Sequence, residues 1–207
     1  AACGGFTTIC AMPNTNPALD NPDTLKYVFD QAERGLVNIY PIAAITKGQE
    51  GRELNNIAEL VKAGAVAISE DGKSVMDTLL YYKAMEEAAK IGVSVFAHCE
   101  DKSLAADGVM NAGEKADELG LPGISNAVED IITARDVLMA KETGAKLHLC
   151  HCSTKGSTFI LDMAKQKGIN ITGETCPHYF TLSDKDIPED DANYKMNPPL
   201  RSPEDVE

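Results

Sequence analysis

The 207-residue sequence contains no tryptophan, and aromatic residues make up only 5% of the chain. Its core must therefore be built mainly from Ala, Val, Ile, Leu and Met side chains. Basic residues are also scarce: 19 Lys and Arg stand against 32 Asp and Glu, for a formal net charge of -13. Because a protein that binds a nucleic-acid backbone needs a basic face, this charge excludes a nucleic-acid partner and indicates a solvated acidic surface.

The sequence also lacks a signal peptide and any apolar run of about 18 residues, so it predicts neither secretion nor a membrane partner. Its six cysteines do not form a recognisable disulfide framework. Cys150 and Cys152 alternate around His151 on an extended stretch that is difficult to bridge. We interpret the cysteines as small buried thiols and expect a reducing, cytoplasmic location.

Both ends of the sequence indicate a segment of a longer protein. Ala1 is not preceded by an initiator Met, and the chain stops soon after Ser202 and Pro203. A Ser cap, a Pro at the first helical position and acidic residues behind it are typical of a helix start. The sequence thus predicts a helix of which only the beginning is present.

Predicted strands and helices alternate along the chain. Apolar stretches predict six strands, with starts at Phe6, Asn38, Ala65, Ser94, Lys146 and Asn170. Helical spacing predicts helices over 22–34, 51–63, 74–91, 125–143 and 155–167, and a polar stretch over 100–123 predicts a long loop. Continuously apolar strands are buried on both faces, which is typical of a parallel sheet covered by helices.

Two architectures fit this alternation within a single domain over 1–207: a doubly wound open sheet and a piece of an eightfold barrel. No GxGxxG turn follows the first predicted strand, which disfavours the dinucleotide-binding form of the open sheet. Polar residues cluster just after the predicted strands, at Asn14, Asp71, His98, His151 and His178. Barrel enzymes place their chemistry at this carboxyl-terminal rim, so the pattern favours the barrel.

The rim residues include a donor set that suits a metal ion. Neighbouring parallel strands lie about 4.8 Å apart, so side chains at their ends can converge on one ion. Asp71 also fits an Asp-Gly turn, but a carboxylate together with the neutral imidazoles of His98 and His151 suits Zn²⁺ or a similar divalent ion. The sequence contains no GxSxG nucleophile elbow, so a metal-activated water is the expected nucleophile of a hydrolase.

His148 and His151 lie three positions apart on one predicted strand. Regular alternation would point their side chains to opposite faces of the sheet. His151 is nearer the end of the strand and is the better candidate for a metal ligand. We expect His148 either to lie against the helical layer or to support a neighbour by hydrogen bonding.

Motifs along the whole chain resemble, in the same order, those of bacterial dihydroorotases, which are cyclic amidohydrolases of the amidohydrolase superfamily. The motifs occupy 4–8, 12–17, 97–101, 148–154, 174–179 and 195–201. The resemblance runs essentially end to end and corresponds to barrel strands two to seven of the family. It implies an α/β fold, a partial (β/α)8 TIM barrel with parallel strands and outer helices whose first and last units are missing.

The resemblance implies a zinc enzyme that interconverts dihydroorotate and N-carbamoyl-aspartate in pyrimidine synthesis, with two zinc ions per complete active site. By motif match, His98 and His151 would ligate the second zinc, and Asp71 would be the bridging carboxylate. Asn14 would hold the substrate carboxylate, and Asn197 would contact the dihydropyrimidine ring.

The resemblance also carries expectations for His178, for the two ends of the family's active site and for the assembly. His178 matches a family motif and would be a supporting residue. The His-x-His pair of the first strand should lie before Ala1, and the catalytic Asp should lie beyond Glu207. The resemblance therefore implies that the 207-residue chain alone has no useful activity. Family members are often dimers, so a homodimer is the candidate assembly.

Two related readings compete with a dihydroorotase. Hydantoinases and allantoinases use a carboxylated Lys on the fourth barrel strand, whereas the stretch 65–69 contains no Lys and is followed by Glu70 and Asp71. A non-catalytic dihydroorotase-like subunit would typically lose ligand histidines, whereas His98 and His151 are present. The ordered series of rim motifs also argues against a simple α/β scaffold with incidental histidines.

Overall fold

The computed structural model describes residues 1–207, and the backbone contacts divide them into two compact units. Unit 1 contains Ala1–His98 and Met139–Leu147, and unit 2 contains Cys99–Leu138 and His148–Glu207. The division passes through one helix, α6 (Ala127–Thr143), and one strand, β7 (Lys146–Leu149).

Unit 1 is a parallel sheet with helices in its connections. Its strands pair in chain order as β1 (Thr8–Ala11), β2 (Asn38–Ala44), β3 (Ala67–Ser69) and β4 (Ser94–Ala97), and the first residues of β7 follow. The pairings of β1 with β2, β2 with β3 and β3 with β4 are all parallel. The connections carry α1 (Pro22–Ala32), α2 (Ile57–Lys62) and α3 (Thr78–Ile91). This strand–helix alternation confirms the predicted α/β class for unit 1.

Burial in the sheet of unit 1 is uneven. All three residues of β3 are buried, as the apolar pattern predicts. The prediction of a buried first strand is wrong, because Thr8 and Cys10 of β1 are exposed and Phe6 before it is 64% exposed. The physical reason is that β1 lies at the edge of the sheet and pairs only with β2.

Capping residues set the helix starts, and they explain where the predicted bounds are wrong. α1 begins at the predicted Pro22, because the Asn21 side chain accepts a hydrogen bond from the Thr24 amide. α2 was predicted from residue 51 but begins at Ile57, where the preceding Asn56 provides the cap. α3 was predicted from residue 74 but begins at Thr78, capped by Asp77.

Unit 2 contains the end of β7 and its neighbour β8 (Ile171–Gly173), and a separate two-stranded parallel sheet of β5 (Met110–Asn111) and β6 (Gly123–Ile124). Its remaining helices are α4 (Lys102–Ala105), α5 (Glu114–Leu119), α7 (Lys155–Gln166) and α8 (Pro203–Val206). The predicted loop over 100–123 is thus partly regular. No helix in the structure combines the length and the apolar character needed to cross a membrane.

Asp205 in α8 connects three segments of unit 2. Its carboxylate accepts hydrogen bonds from the Ser202 hydroxyl at 2.6 Å, the Lys155 amide at 3.0 Å and the Asn126 side-chain amide at 2.8 Å. Burial acts to raise the pKa of Asp205, but these hydrogen bonds outweigh it and lower the pKa below the ordinary value of 3.8. The ionised carboxylate therefore stabilises the folded state.

We expect Asp205→Asn to lower the free energy of unfolding by about 1–2 kcal/mol at neutral pH, since the hydrogen bonds lose their charged acceptor. Because the folded pKa is lowered, this contribution is present above the unfolded pKa and is lost as the pH falls through the folded pKa. Urea unfolding of both proteins at neutral pH and near pH 3 measures the difference. Asp162→Asn, at an exposed position of α7, is the control; equal effects of the two substitutions would contradict the prediction.

Candidate active site

Two predicted metal ligands lie in unit 1, just beyond the carboxyl ends of neighbouring strands. Asp71 follows β3 by two residues, and His98 directly follows β4, its parallel neighbour. A carboxylate oxygen of Asp71 and a ring nitrogen of His98 lie within 4.8 Å of each other. His98 is 5% exposed and Asp71 is half-buried. This pair offers one carboxylate and one imidazole, a donor set that fits zinc.

Asn14 joins this pair in unit 1. Its side-chain amide donates a hydrogen bond to the Asp71 carboxylate at 2.6 Å. An Asn amide carries two N–H groups, so a second donor remains for another acceptor. The turn after Asp71 uses Gly72 at φ +75°, a conformation that L side chains rarely adopt. Three residues that the sequence singled out thus lie together in this unit.

Polar residues that the sequence analysis did not identify hold the segment around Asp71. Glu70 is 3% exposed and accepts hydrogen bonds from the amide of Thr46, at 3.1 Å, and from its hydroxyl. Burial raises the pKa of Glu70 above its ordinary value, and the bonds from Thr46 partly offset this effect. Ser74, at φ 55°, donates from its hydroxyl to the His98 carbonyl. The available signal was a charged residue, Glu70, directly after a fully buried strand.

His151, the third predicted ligand, lies in unit 2 beyond the end of β7, with φ 38°. The Glu174 amide donates to the Leu149 carbonyl at 3.0 Å, and the Glu174 carbonyl accepts from the Cys152 amide at 2.8 Å. In a regular parallel pair the amide of residue 151 would donate to the Glu174 carbonyl. Because the amide of Cys152 donates instead, the chain contains a bulge here. The alternation used to orient His151 against His148 therefore does not extend to His151.

His148 does not lie against the helical layer, which corrects one of the two predicted alternatives. A Cβ atom added to Gly173 would contact both Leu149 and a side chain of α7. The face of the strands that carries Leu149 and Gly173 is therefore the face that packs on α7. His148 occupies the alternate face, where its Nδ1 lies 2.8 Å from the Thr172 hydroxyl and its Nε2 lies 3.4 Å from the Glu174 carboxylate. It therefore supports its neighbours by hydrogen bonding, as the other alternative predicted.

Two further residues singled out by the sequence lie in unit 2. His178 is in a short 3-10 turn, Pro177–Phe180, and burial lowers its pKa, with a smaller effect from His151. Asn197 is exposed, and its side-chain amide donates to the Glu100 carboxylate at 3.2 Å. The Lys102 ammonium contacts the same carboxylate oxygen at 2.6 Å.

A buried ionic network lies directly after His151 in the chain and was not predicted. Glu129 of α6 accepts from the Ser153 amide at 2.8 Å and from the Ser157 hydroxyl at 2.6 Å. Arg201 approaches the same carboxylate at 3.5 Å and donates to the Ser153 hydroxyl at 3.0 Å. Because the side chains of Glu129 and Arg201 are 4% and 2% exposed, the network fixes the backbone that follows His151.

Comparison with known sequences identifies close similarity to one enzyme family. The sequence profile described as "Dihydro-orotase-like" matches residues 1–157. The dihydroorotase of Acetivibrio thermocellus is 47% identical over 208 aligned residues, which cover 100% of this chain and 49% of the relative. The dihydroorotase of Citrifermentans bemidjiense is 48% identical with the same coverage. The chain thus spans about half the length of the curated relatives that it matches.

Solved structures confirm the fold class. The L-hydantoinase (dihydropyrimidinase) from Arthrobacter aurescens matches 98% of this chain and 47% of its own with a TM-score of 0.76 and 25% identity. The dihydroorotase from Saccharomyces cerevisiae, solved in complex with 5-fluoroorotic acid, matches 98% of this chain and 57% of its own, with a TM-score of 0.70 and 14% identity. The prediction of an α/β fold that forms part of a (β/α)8 barrel is therefore confirmed.

Proposed function

The chain belongs to the dihydro-orotase-like family, and on that premise we propose that it is part of a dihydroorotase. This enzyme hydrolyses the cyclic amide of dihydroorotate reversibly to N-carbamoyl-aspartate in the pathway to UMP. Relatives named dihydroorotase, 45–48% identical over the whole chain, support the proposal. The structural observation that carries it is the pairing of Asp71 with His98, with Asn14 hydrogen-bonded to Asp71.

We propose zinc as the metal, two ions in a complete active site, with Asp71, His98 and His151 as the ligands from this chain. The fit rests on donor chemistry, since the carboxylate and imidazole of unit 1 lie within 4.8 Å of each other at the rim of a parallel sheet. Asp71, His98 and His151 would hold the zinc, which would supply activation of a water at neutral pH and polarisation of the amide carbonyl.

The remaining residues of the proposed site position the reactants. Asn14 uses one N–H to orient Asp71 and has a second N–H with which to hold the substrate carboxylate. Asn197 is exposed and has an equivalent second N–H for a polar group of the dihydropyrimidine ring. Ser74 holds the His98 carbonyl, which limits movement of that imidazole. We assign no residue of this chain to the proton transfer between water and the leaving nitrogen.

A hydantoinase-type activity is the second candidate, since the similar fold of an L-hydantoinase specifically favours it. Strand β3 argues against this activity, because its residues Ala67–Ser69 include no Lys that could become a carboxylated metal bridge. The carboxylate of Asp71 occupies the rim after that strand and can serve as the bridge. A non-catalytic subunit is disfavoured because Asp71 and His98 both remain and lie close together.

A hybrid enzyme tests this proposal: residues 1–207 replace the matching segment of the Acetivibrio thermocellus dihydroorotase, and the unaltered relative is the control. We expect kcat/KM for dihydroorotate to exceed that for hydantoin or allantoin by about a hundredfold or more, since sites built for a polar substrate group reject analogues that lack it. A folded, zinc-containing hybrid that prefers hydantoin, or that hydrolyses none of the three, would overturn the proposal.

We also propose a cytoplasmic location and a homodimeric assembly for the complete protein. All six cysteines are thiols in the structure, which suits a reducing compartment. Light scattering of the hybrid enzyme measures the assembly directly, and a purely monomeric hybrid would contradict the dimer.

A further inference from the structure

Three potential metal ligands of unit 2 lie together on the surface formed by β7 and β8. They are His148, Cys150 and Glu174, and one ligand atom from each lies within 4.8 Å of the other two. Cys150 is buried, His148 is half-buried and Glu174 is exposed, so the group is open to solvent on one side. None of the three has a part in the function proposed above.

The backbone places these side chains on one face. His148 and Cys150 are two residues apart, and His148 points away from the face that packs on α7. The hydrogen bond from the Glu174 amide to the Leu149 carbonyl sets Glu174 beside Cys150 in the parallel register. Strand pairing therefore brings the three residues to one face, and the Glu174 side chain, which is 54% exposed, reaches the other two from just beyond the end of β8.

The orientation of His148 leaves a ring nitrogen directed at the cluster. Its Nδ1 lies 2.8 Å from the Thr172 hydroxyl, which can accept the Nδ1 proton. The neutral ring then has its lone pair on Nε2, the atom that faces Glu174. A histidine held by a hydrogen bond at one nitrogen and ligating through the other is the usual arrangement around protein-bound zinc.

A simple ion pair describes this cluster less well. The Nε2 of His148 lies 3.4 Å from the Glu174 carboxylate, whereas charge-assisted N–H···O bonds are typically about 2.7–2.9 Å long. An ion-pair reading also gives Cys150 no part in the cluster.

We propose that His148 Nε2, Cys150 Sγ and the Glu174 carboxylate form a binding site for a Zn²⁺-class divalent ion, separate from the ligands Asp71 and His98. Imidazole, thiolate and carboxylate are all zinc ligands, and three of them leave the fourth tetrahedral position for water. Binding releases the thiol proton of Cys150 to solvent as the sulfur–metal bond forms. The ligand atoms around such an ion lie about 3.3–3.8 Å apart, which small side-chain movements in this cluster achieve. The inference does not depend on the dihydroorotase proposal.

Cobalt(II) titration of the 207-residue chain tests the site, because a thiolate ligand gives an intense near-ultraviolet charge-transfer band that His and carboxylate ligands do not give. We expect the band in the wild-type chain and its loss in Cys150→Ser. Cys176→Ser is the matched control, since Cys176 lies outside the cluster. Asp71→Asn should leave the band unchanged, which separates this site from the one proposed for catalysis.

Thr172→Val gives a second measurement that keeps all three ligands and does not depend on how Cys150→Ser folds. Loss of the hydrogen bond that orients His148 should weaken cobalt binding about 10- to 100-fold. Absence of the band in the wild-type chain, or a band that survives Cys150→Ser and disappears in Cys176→Ser, would overturn the proposal. Unchanged affinity in Thr172→Val would also count against the role given to His148.

Discussion

Asp71→Asn in the hybrid dihydroorotase is expected to lower kcat/KM for dihydroorotate about a thousandfold or more. The substitution keeps the shape of the side chain, and the new amide oxygen can still accept the hydrogen bond from Asn14. It removes the negative charge next to His98. A metal centre contributes several kcal/mol of transition-state stabilisation, and each factor of ten in rate corresponds to about 1.4 kcal/mol. The measurement combines steady-state kinetics with zinc analysis of the same samples.

Asp162→Asn makes the same chemical change at an exposed position of α7, and we expect it to retain both zinc and activity. If Asp71→Asn kept full zinc content and lost less than about tenfold in kcat/KM, Asp71 would not be the bridging carboxylate. Circular dichroism of both variants separates this outcome from unfolding.

Glu129→Gln is expected to have the largest effect on stability, a loss of about 3 kcal/mol or more. The substitution leaves the Arg201 guanidinium buried without its charged partner, and breaking a buried pair from one side is strongly destabilising. The hydrogen bonds from Ser153 and Ser157 would also lose a charged acceptor. Urea denaturation measures the change.

Glu118→Gln is the control for this prediction, because the side chain of Glu118 is 65% exposed and surface substitutions usually stay within about 0.5 kcal/mol. Adding Arg201→Met to Glu129→Gln should restore part of the lost stability, since the second change removes the uncompensated charge. Equal destabilisation by Glu118→Gln and Glu129→Gln would show that burial of the pair has no special importance.

Much of the fold could be predicted because it follows from local patterns. Strand–helix alternation gave the parallel sheet, and the position of Asp71 and His98 after neighbouring strands predicted that they lie together. Helix bounds were less accurate where a cap decided them, as at Asn56 and Asp77. The prediction that β1 is buried was wrong because an apolar stretch has the same sequence pattern in a central strand and in an edge strand, and β1 lies at the edge.

The parts that could not be predicted depend on contacts between residues far apart in sequence. The pairing of Glu129 with Arg201 joins positions 72 residues apart by their numbering, and nothing in either local sequence indicates it. The bulge at the end of β7 depends on hydrogen bonds to Glu174, so alternation along β7 alone does not determine the orientation of His151. The small sheet of β5 and β6 is too short for periodicity to reveal.

The backbone at His151 has a consequence for how this position would respond to selection. A backbone φ of 38° is accessible to glycine but strained for histidine. A non-glycine residue in this region typically lowers the stability of the folded state by about 1–3 kcal/mol. Selection for folding alone would favour replacing it. The His151 side chain therefore costs the fold stability, and variant libraries screened only for thermal tolerance would tend to replace it.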